Sequence, residues 1–298
     1  MTNTTPPEGT TDPQDVDAPR IDTRHGEPPR PGRGALTAIT IAAAIIGGGA
    51  LVVAGGTSAV AALNQVTSGT GAASNGQSVA VTGVTTLRVD VGRGEASIRF
   101  ADVSRAEMSV SGQGGGDWNM RRDGDVLRVQ RPSGPFGWWF GSWFGAEPRM
   151  TLTLPRDLEG ELTADLTLNA GSLSTEGRFD TLTATVNAGS LEIDGGATSV
   201  TTRISAGSAT LNLEDTTTAD LSMSAGDLTA TITGTQPDLV RLDASAGSMD
   251  VTVPAGRYDL SRDTSAGALD AQIQTDPSST HRIRSTLSAG SMTIREGS

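Results

Sequence analysis

The tripeptide Asn/Ser-Ala-Gly begins at Asn169, Asn187, Ser205, Ser224, Ser245, Ser265 and Ser288, at intervals of 18, 18, 19, 21, 20 and 23 residues. A period this regular means stacked structural repeats, because each copy can bury its apolar side only against its neighbours. With the Asn or Ser as position zero, the columns at −5, −1, +4 and +6 hold 26 apolar residues in 28, and those at −4, −2, +5 and +7 hold none. Such period-two alternation means strands with one face inward, two to a repeat. The tripeptide joins them. Gly171, Gly189, Gly207, Gly226, Gly247, Gly267 and Gly290 give the backbone freedom that a sharp corner needs, and the alanine before each is small enough to fit inside it. The Asn or Ser can bond local backbone and, when stacked, form a polar ladder.

The expected fold is therefore all-β. A parallel β-solenoid of about seven 18–23-residue turns occupies 161–298, with turns ~4.8 Å apart and a length of roughly 34 Å. Stacked in chain order, the turn ending near Ile294 forms the far end of the coil. Glu296 stands there at +8, the column of Leu213, Ile232, Val253 and Ile273. It either discourages end-to-end stacking or borders an open turn that docks a partner by strand addition.

Upstream, 79–160 reads as a strand-rich capping region, with strands near 84–91, 95–100, 106–111, 118–122, 125–130 and 149–154 and a hairpin turn at Asp123-Gly124. Between its last two strands lies an aromatic loop, 135–145 (PFGWWFGSWFG). Phe136, Trp138, Trp139, Phe140, Trp143 and Phe144 are six of the ten aromatics in the chain. Such a loop suits a bilayer interface or a partner's pocket. It also suits a lid over the first turn, which needs a cap for solubility.

The first 34 residues hold seven of the fourteen prolines, six acids and four arginines, too little apolar surface to offset chain entropy, and read as a disordered tail. From Ala35 to Ala54 there is no charge. At ~1.5 Å per residue this segment spans about 30 Å, the thickness of a bilayer core. The expected organisation is a transmembrane helix and exit over 35–63 and a flexible tether over 64–78. Arg20, Arg24, Arg30 and Arg33 precede the helix, which puts the tail in the cytoplasm and the C-terminal domain outside, in a single pass through the cell membrane. A signal peptide cleaved near Ala59-Val60-Ala61 is the alternative; the long leader with more acids than arginines fits an uncleaved anchor better.

Composition narrows the chemistry. There is no Cys and no Lys, which removes disulfides, thiolate zinc sites, cysteine and lysine nucleophiles and P-loops. Thirty-four acids against 22 arginines argue against nucleic acid as a partner. Glu192 and Asp194 project from one strand face about 7 Å apart, a spacing a glycosidase could use. The outward acids are otherwise dispersed, and a solvated face is the simpler reading. Thr-x-Thr pairs occur on the outward faces only at Thr183/Thr185 and Thr229/Thr231, too few for an ice-binding array. The sequence thus predicts no catalytic residue, no metal site and no cofactor.

The segment MTLTLPRDLEGELTADLTLNAGSLSTEG (150–177) and the Ala-Gly repeats after it resemble the putative-adhesin β-strand-repeat family of bacterial envelope proteins, over roughly 80–298. The resemblance implies an envelope location, an adhesion-like or envelope-stress role, and no catalytic residues to carry over. The expected function is that of a non-catalytic, membrane-anchored, adhesin-like surface module. Its partners are the bilayer, through the helix, and an envelope protein or glycan. The alternative is an accessory sensor of envelope stress whose aromatic loop reads the membrane surface.

Overall fold

A computed structural model describes residues 75–112, 118–131 and 148–297, all within the compact unit Thr67–Ser298. The described residues are all-β. The first strands are β1 (Asn75–Val79), β2 (Thr86–Val91), β3 (Gly94–Ala101), β4 (Ala106–Ser111), β5 (Asn119–Asp123), β6 (Val126–Gln130) and β7 (Arg149–Pro155). After a 3-10 turn at Arg156–Leu158 come β8 (Thr163–Leu168), β9 (Gly171–Val186), β10 (Gly189–Ile204), β11 (Gly207–Glu214), β12 (Thr218–Met223), β13 (Gly226–Thr233), β14 (Leu239–Ala244) and β15 (Ser248–Val253). The last are β16 (Arg257–Thr264), β17 (Ala268–Gln272), β18 (Gln274–Thr275), β19 (Arg282–Leu287) and β20 (Ser291–Glu296). Among these residues no helix is long and apolar enough to cross a membrane. The expected helix over 35–63, the tail and most of the tether lie outside the described residues, as does the aromatic loop. The tether's predicted end at 78 overlaps β1.

Two parallel ladders run side by side. One is β6, β2, β8, the second half of β9, the second half of β10, β12, β14, β19 and β16. The other is β7, β3, the first half of β9, the first half of β10, β11, β13, β15, β20 and β17. A rung is one strand from each ladder, so nine rungs stack where the repeat alone predicted seven. The additional two are β2–β3 and β6–β7, from the region read as a cap. Gly94 falls in register with Gly171, so Gly92-Arg93-Gly94 is a further copy of the corner.

The inward columns close into one core. Leu87, Leu127, Ala164, Leu182, Val200, Ala219, Val240 and Ile283 run along one ladder, and Ala96, Met150, Leu173, Leu191, Ala209, Leu228, Met249 and Met292 along the other, all buried. With few aromatics available, Leu, Val, Ala and Met fill a narrow interior at close packing.

The order of the rungs corrects the sequence reading at both ends. β2–β3 come first in the chain but stack second, beneath β6–β7. At the other end β19–β20 insert between β14–β15 and β16–β17, so residues 257–272 form the outermost rung and 282–296 lie inside. Side-chain chemistry explains the exchange. The inner rung turns Ile283, Ser285, Leu287, Met292 and Ile294 inward, all buried, and the Ser285 hydroxyl donates to the Ser261 carbonyl at 3.2 Å. The corresponding columns of the outer rung hold Leu260, Arg262, Thr264, Leu269 and Ala271, half-buried or exposed. Enclosing an unpaired guanidinium costs several kcal/mol in order of magnitude, so the rung carrying Arg262 belongs outside. Glu296 is consequently not at an end. Its carboxylate accepts the Gln274 amide at 2.7 Å, and the role assigned to it passes to Arg262, an inward charge on an edge strand.

The opposite end is closed by antiparallel strands. β5 pairs with β6, β4 with β7, and β1 with β4. The Gln77 side chain clasps the two walls together, donating to the Trp118 carbonyl and accepting the Met120 amide, each at 2.9 Å. Trp118 is buried beneath this hem.

Two outcomes are expected. Arg262→Leu removes the one charge from the inward columns of the outer rung and should cause concentration-dependent self-association in sedimentation velocity; a variant as monodisperse as the parent would refute the role given to Arg262. Tyr258 is the single tyrosine of the chain, buried, with its hydroxyl donating to the Pro254 carbonyl at 2.8 Å. Burial pushes its phenol up to about 12. Because the folded value lies above the unfolded one of ~10, its contribution to stability is complete below pH ~10 and lost as pH rises toward 12. Without Lys or Cys, little else titrates in that window. Unfolding midpoints should fall across it in the parent and stay flatter in Tyr258→Phe.

Candidate functional site

The seven predicted corner glycines do stack, joined by Gly94, in the order Gly94, Gly171, Gly189, Gly207, Gly226, Gly247, Gly290, Gly267. Their φ angles run from 108° to 131°, a conformation that side chains with a Cβ resist. A Cβ on Gly207 would also overlap the carbonyl oxygen of Gly189, and the same clash recurs down the column. The ladder continues through the corner. The amides of Asn187, Ser205 and Ser224 donate at 2.8 Å to Leu168, Val186 and Ile204 of the preceding rungs. The polar ladder expected at position zero forms where asparagine supplies two functional atoms. Asn187 Nδ2 donates to Asn169 Oδ1 at 2.8 Å, and Asn169 Nδ2 to Asp90 at 3.0 Å.

The six loop aromatics lie outside the described residues, but the loop's roots are fixed. Arg131 follows β6 and Pro148 precedes β7, the two strands of the first rung. The Arg131 guanidinium donates to the Arg93 carbonyl at 3.0 Å, and the Glu95 amide donates to the Pro148 carbonyl at 3.0 Å. Arg149 pairs with Glu95 at 2.7 Å, and that carboxylate raises the guanidinium's pKa above its ordinary value. All four aromatics elsewhere, Phe100, Trp118, Phe179 and Tyr258, pack in or against the core.

Glu192 and Asp194 stand exposed on β10. Glu192 is flanked in register by Ser174 and Thr210, Asp194 by Glu176 and Asn212. Among the described residues no group of three His, Asp or Glu could hold a metal ion. The exchanged rung order gathers one outward face that the sequence scatters, because Thr293 and Arg295 lie beside Asp250 and Thr252. Arg295 donates to Thr252 at 3.2 Å and pairs with Asp250 at 3.5 Å.

No family model matches the chain, and no curated protein does. Solved structures similar to it bear the names of bacterial adhesins. A putative cell adhesion protein from Clostridium sporogenes ATCC 15579 is 12% identical, with a TM-score of 0.34, over 76% of this chain and 100% of that one. A putative adhesin from Bacteroides fragilis NCTC 9343 is 12% identical, with a TM-score of 0.34, over 77% and 98%. A putative lipid binding protein from Parabacteroides distasonis ATCC 8503 is 13% identical, with a TM-score of 0.38, over 77% and 98%.

The corner column makes a quantitative contrast. Gly207→Ala should cost at least about 3 kcal/mol in urea unfolding, since both backbone strain and overlap oppose it. Gly124→Ala, at a hairpin turn with φ 64° and open space around it, should cost only about 1–2 kcal/mol. Equal costs would contradict the close-approach argument.

Proposed function

We propose that this chain is a membrane-anchored, non-catalytic surface module, a parallel β-solenoid held outside the cell by one N-terminal helix and used for adhesin-like binding. The outward faces support this reading: they repeat from rung to rung and carry serine, threonine and scattered charges. Such a surface suits extended, low-affinity contact over many rungs. Repetition along the stack lets one weak contact recur, which raises avidity without a deep pocket.

One observation favours the second reading, an accessory sensor at the membrane surface. β1, which the tether enters, and the roots of the aromatic loop lie at the same closed end of the stack. In this reading the aromatic loop contacts the bilayer from which the chain emerges.

The chain has no cysteine, which permits a direct test. In intact cells, an impermeant maleimide should label Asp270→Cys and not Thr4→Cys; the reverse pattern would overturn the orientation. In vesicles of brominated lipid, the full chain's tryptophan emission should be quenched, and replacing Trp138, Trp139 and Trp143 by Phe should abolish that quenching, leaving buried Trp118. Unquenched emission would sink the sensor reading. Cells producing the chain that adhere to glycan or to other cells no better than cells without it would sink the adhesin reading.

A further inference from the structure

We propose that three arginines in a row across the closed end, Arg121, Arg128 and Arg88, form a binding site for a phosphate group. The topology brings them together from far apart in the sequence. Arg121 on β5 stands directly opposite Arg128 on β6, and Arg128 stands in register with Arg88 on β2. All three occupy outward positions. Cross-strand neighbours of this kind are about 5 Å apart, and like charges so placed destabilise a sheet unless something neutralises them.

The protein supplies that neutralisation only in part. Asp165 pairs with Arg88 at 3.2 Å, and Asp123 approaches Arg128 Nε at 3.9 Å, beyond hydrogen-bond reach. Asp90, two residues along β2, is engaged by Asn169. Arg121 makes no ion pair or hydrogen bond among the described residues. The Nε of Arg128 is enclosed yet has no hydrogen-bond partner. The Arg128 side chain remains 32% exposed and Arg121 beside it is exposed, so their outer guanidinium nitrogens form two adjacent forks that match the oxygens of a phosphate. The tetrahedral group bridges Arg121 and Arg128 while Asp165 keeps Arg88 in place.

The site does not depend on the membrane reading; only the source of the phosphate does. A phosphodiester of an anionic lipid headgroup and free phosphate share the chemistry. The test uses the full chain in non-ionic detergent, titrated calorimetrically with inorganic phosphate, with dihexanoyl phosphatidylglycerol and with dihexanoyl phosphatidylcholine. Binding should weaken with added salt, and both Arg121→Gln and Arg128→Gln should weaken it about tenfold. Arg122→Gln, whose guanidinium instead donates to the Gly124 carbonyl, should leave it unchanged. Phosphatidylglycerol without inorganic phosphate assigns a lipid headgroup; inorganic phosphate without the lipid assigns a free anion; both together assign a general phosphate site. No binding by any probe, or binding indifferent to Arg121→Gln and Arg128→Gln in variants that melt like the parent, overturns the proposal.

Discussion

The stack depends on how closely one corner can approach the next. Side chains could accommodate wider spacing, but the backbone ladder cannot, because the rung repeat is set by amide-to-carbonyl hydrogen bonds at ~4.8 Å. Where the chain turns sharply, that spacing leaves no room for a Cβ between successive carbonyls. Glycine at this point lets the ladder pass through the corner unbroken, so the two walls share one register. Every inward column inherits its alignment from there. The strict alternation of the repeat follows, since a slip of one residue would turn an entire core column outward.

The ends obey a different constraint. A stack of identical rungs has no reason to stop, and each terminal strand offers unpaired backbone groups. The two ends solve this differently. One folds antiparallel strands over itself and clasps its walls through Gln77, burying Trp118. The other places its most polar rung outermost, with Arg262 where the other rungs hold Leu, Val, Ala, Thr or Ser. That solution requires the rungs to leave chain order.

Much of this was legible in the sequence. The period gave the all-β class, the period-two columns gave the inward faces, and the tripeptide gave the corner. Gly92-Arg93-Gly94 lacks the Asn/Ser-Ala-Gly signature although its flanks alternate as those of the other corners do, so the tripeptide alone does not find Gly94. The rung exchange was not legible from spacing, because 257–272 and 282–296 carry the same tripeptide. Arg262 and Thr264 in core columns, against Ser285 and Leu287 in the inner rung, distinguish them. The arginine row could not be read either, since it requires the register between β2, β5 and β6, strands joined by connections of unequal length. The predicted aromatic loop lies outside the described residues, which resume at Pro148 before β7.

The displaced rung order also bears on how the chain becomes folded. A coil laid down in sequence can close turn upon turn as residues emerge, each new pair of strands meeting an edge already waiting. Here the edge of β14–β15 must stay vacant while 257–272 pass by, until 282–296 arrive to take it. Residues 257–272 are in hand first and share the corner tripeptide, so premature docking is the obvious error. It would enclose Arg262. Because enclosing that guanidinium without a partner is costly, the same residue that ends the finished stack also weighs against the misplaced docking.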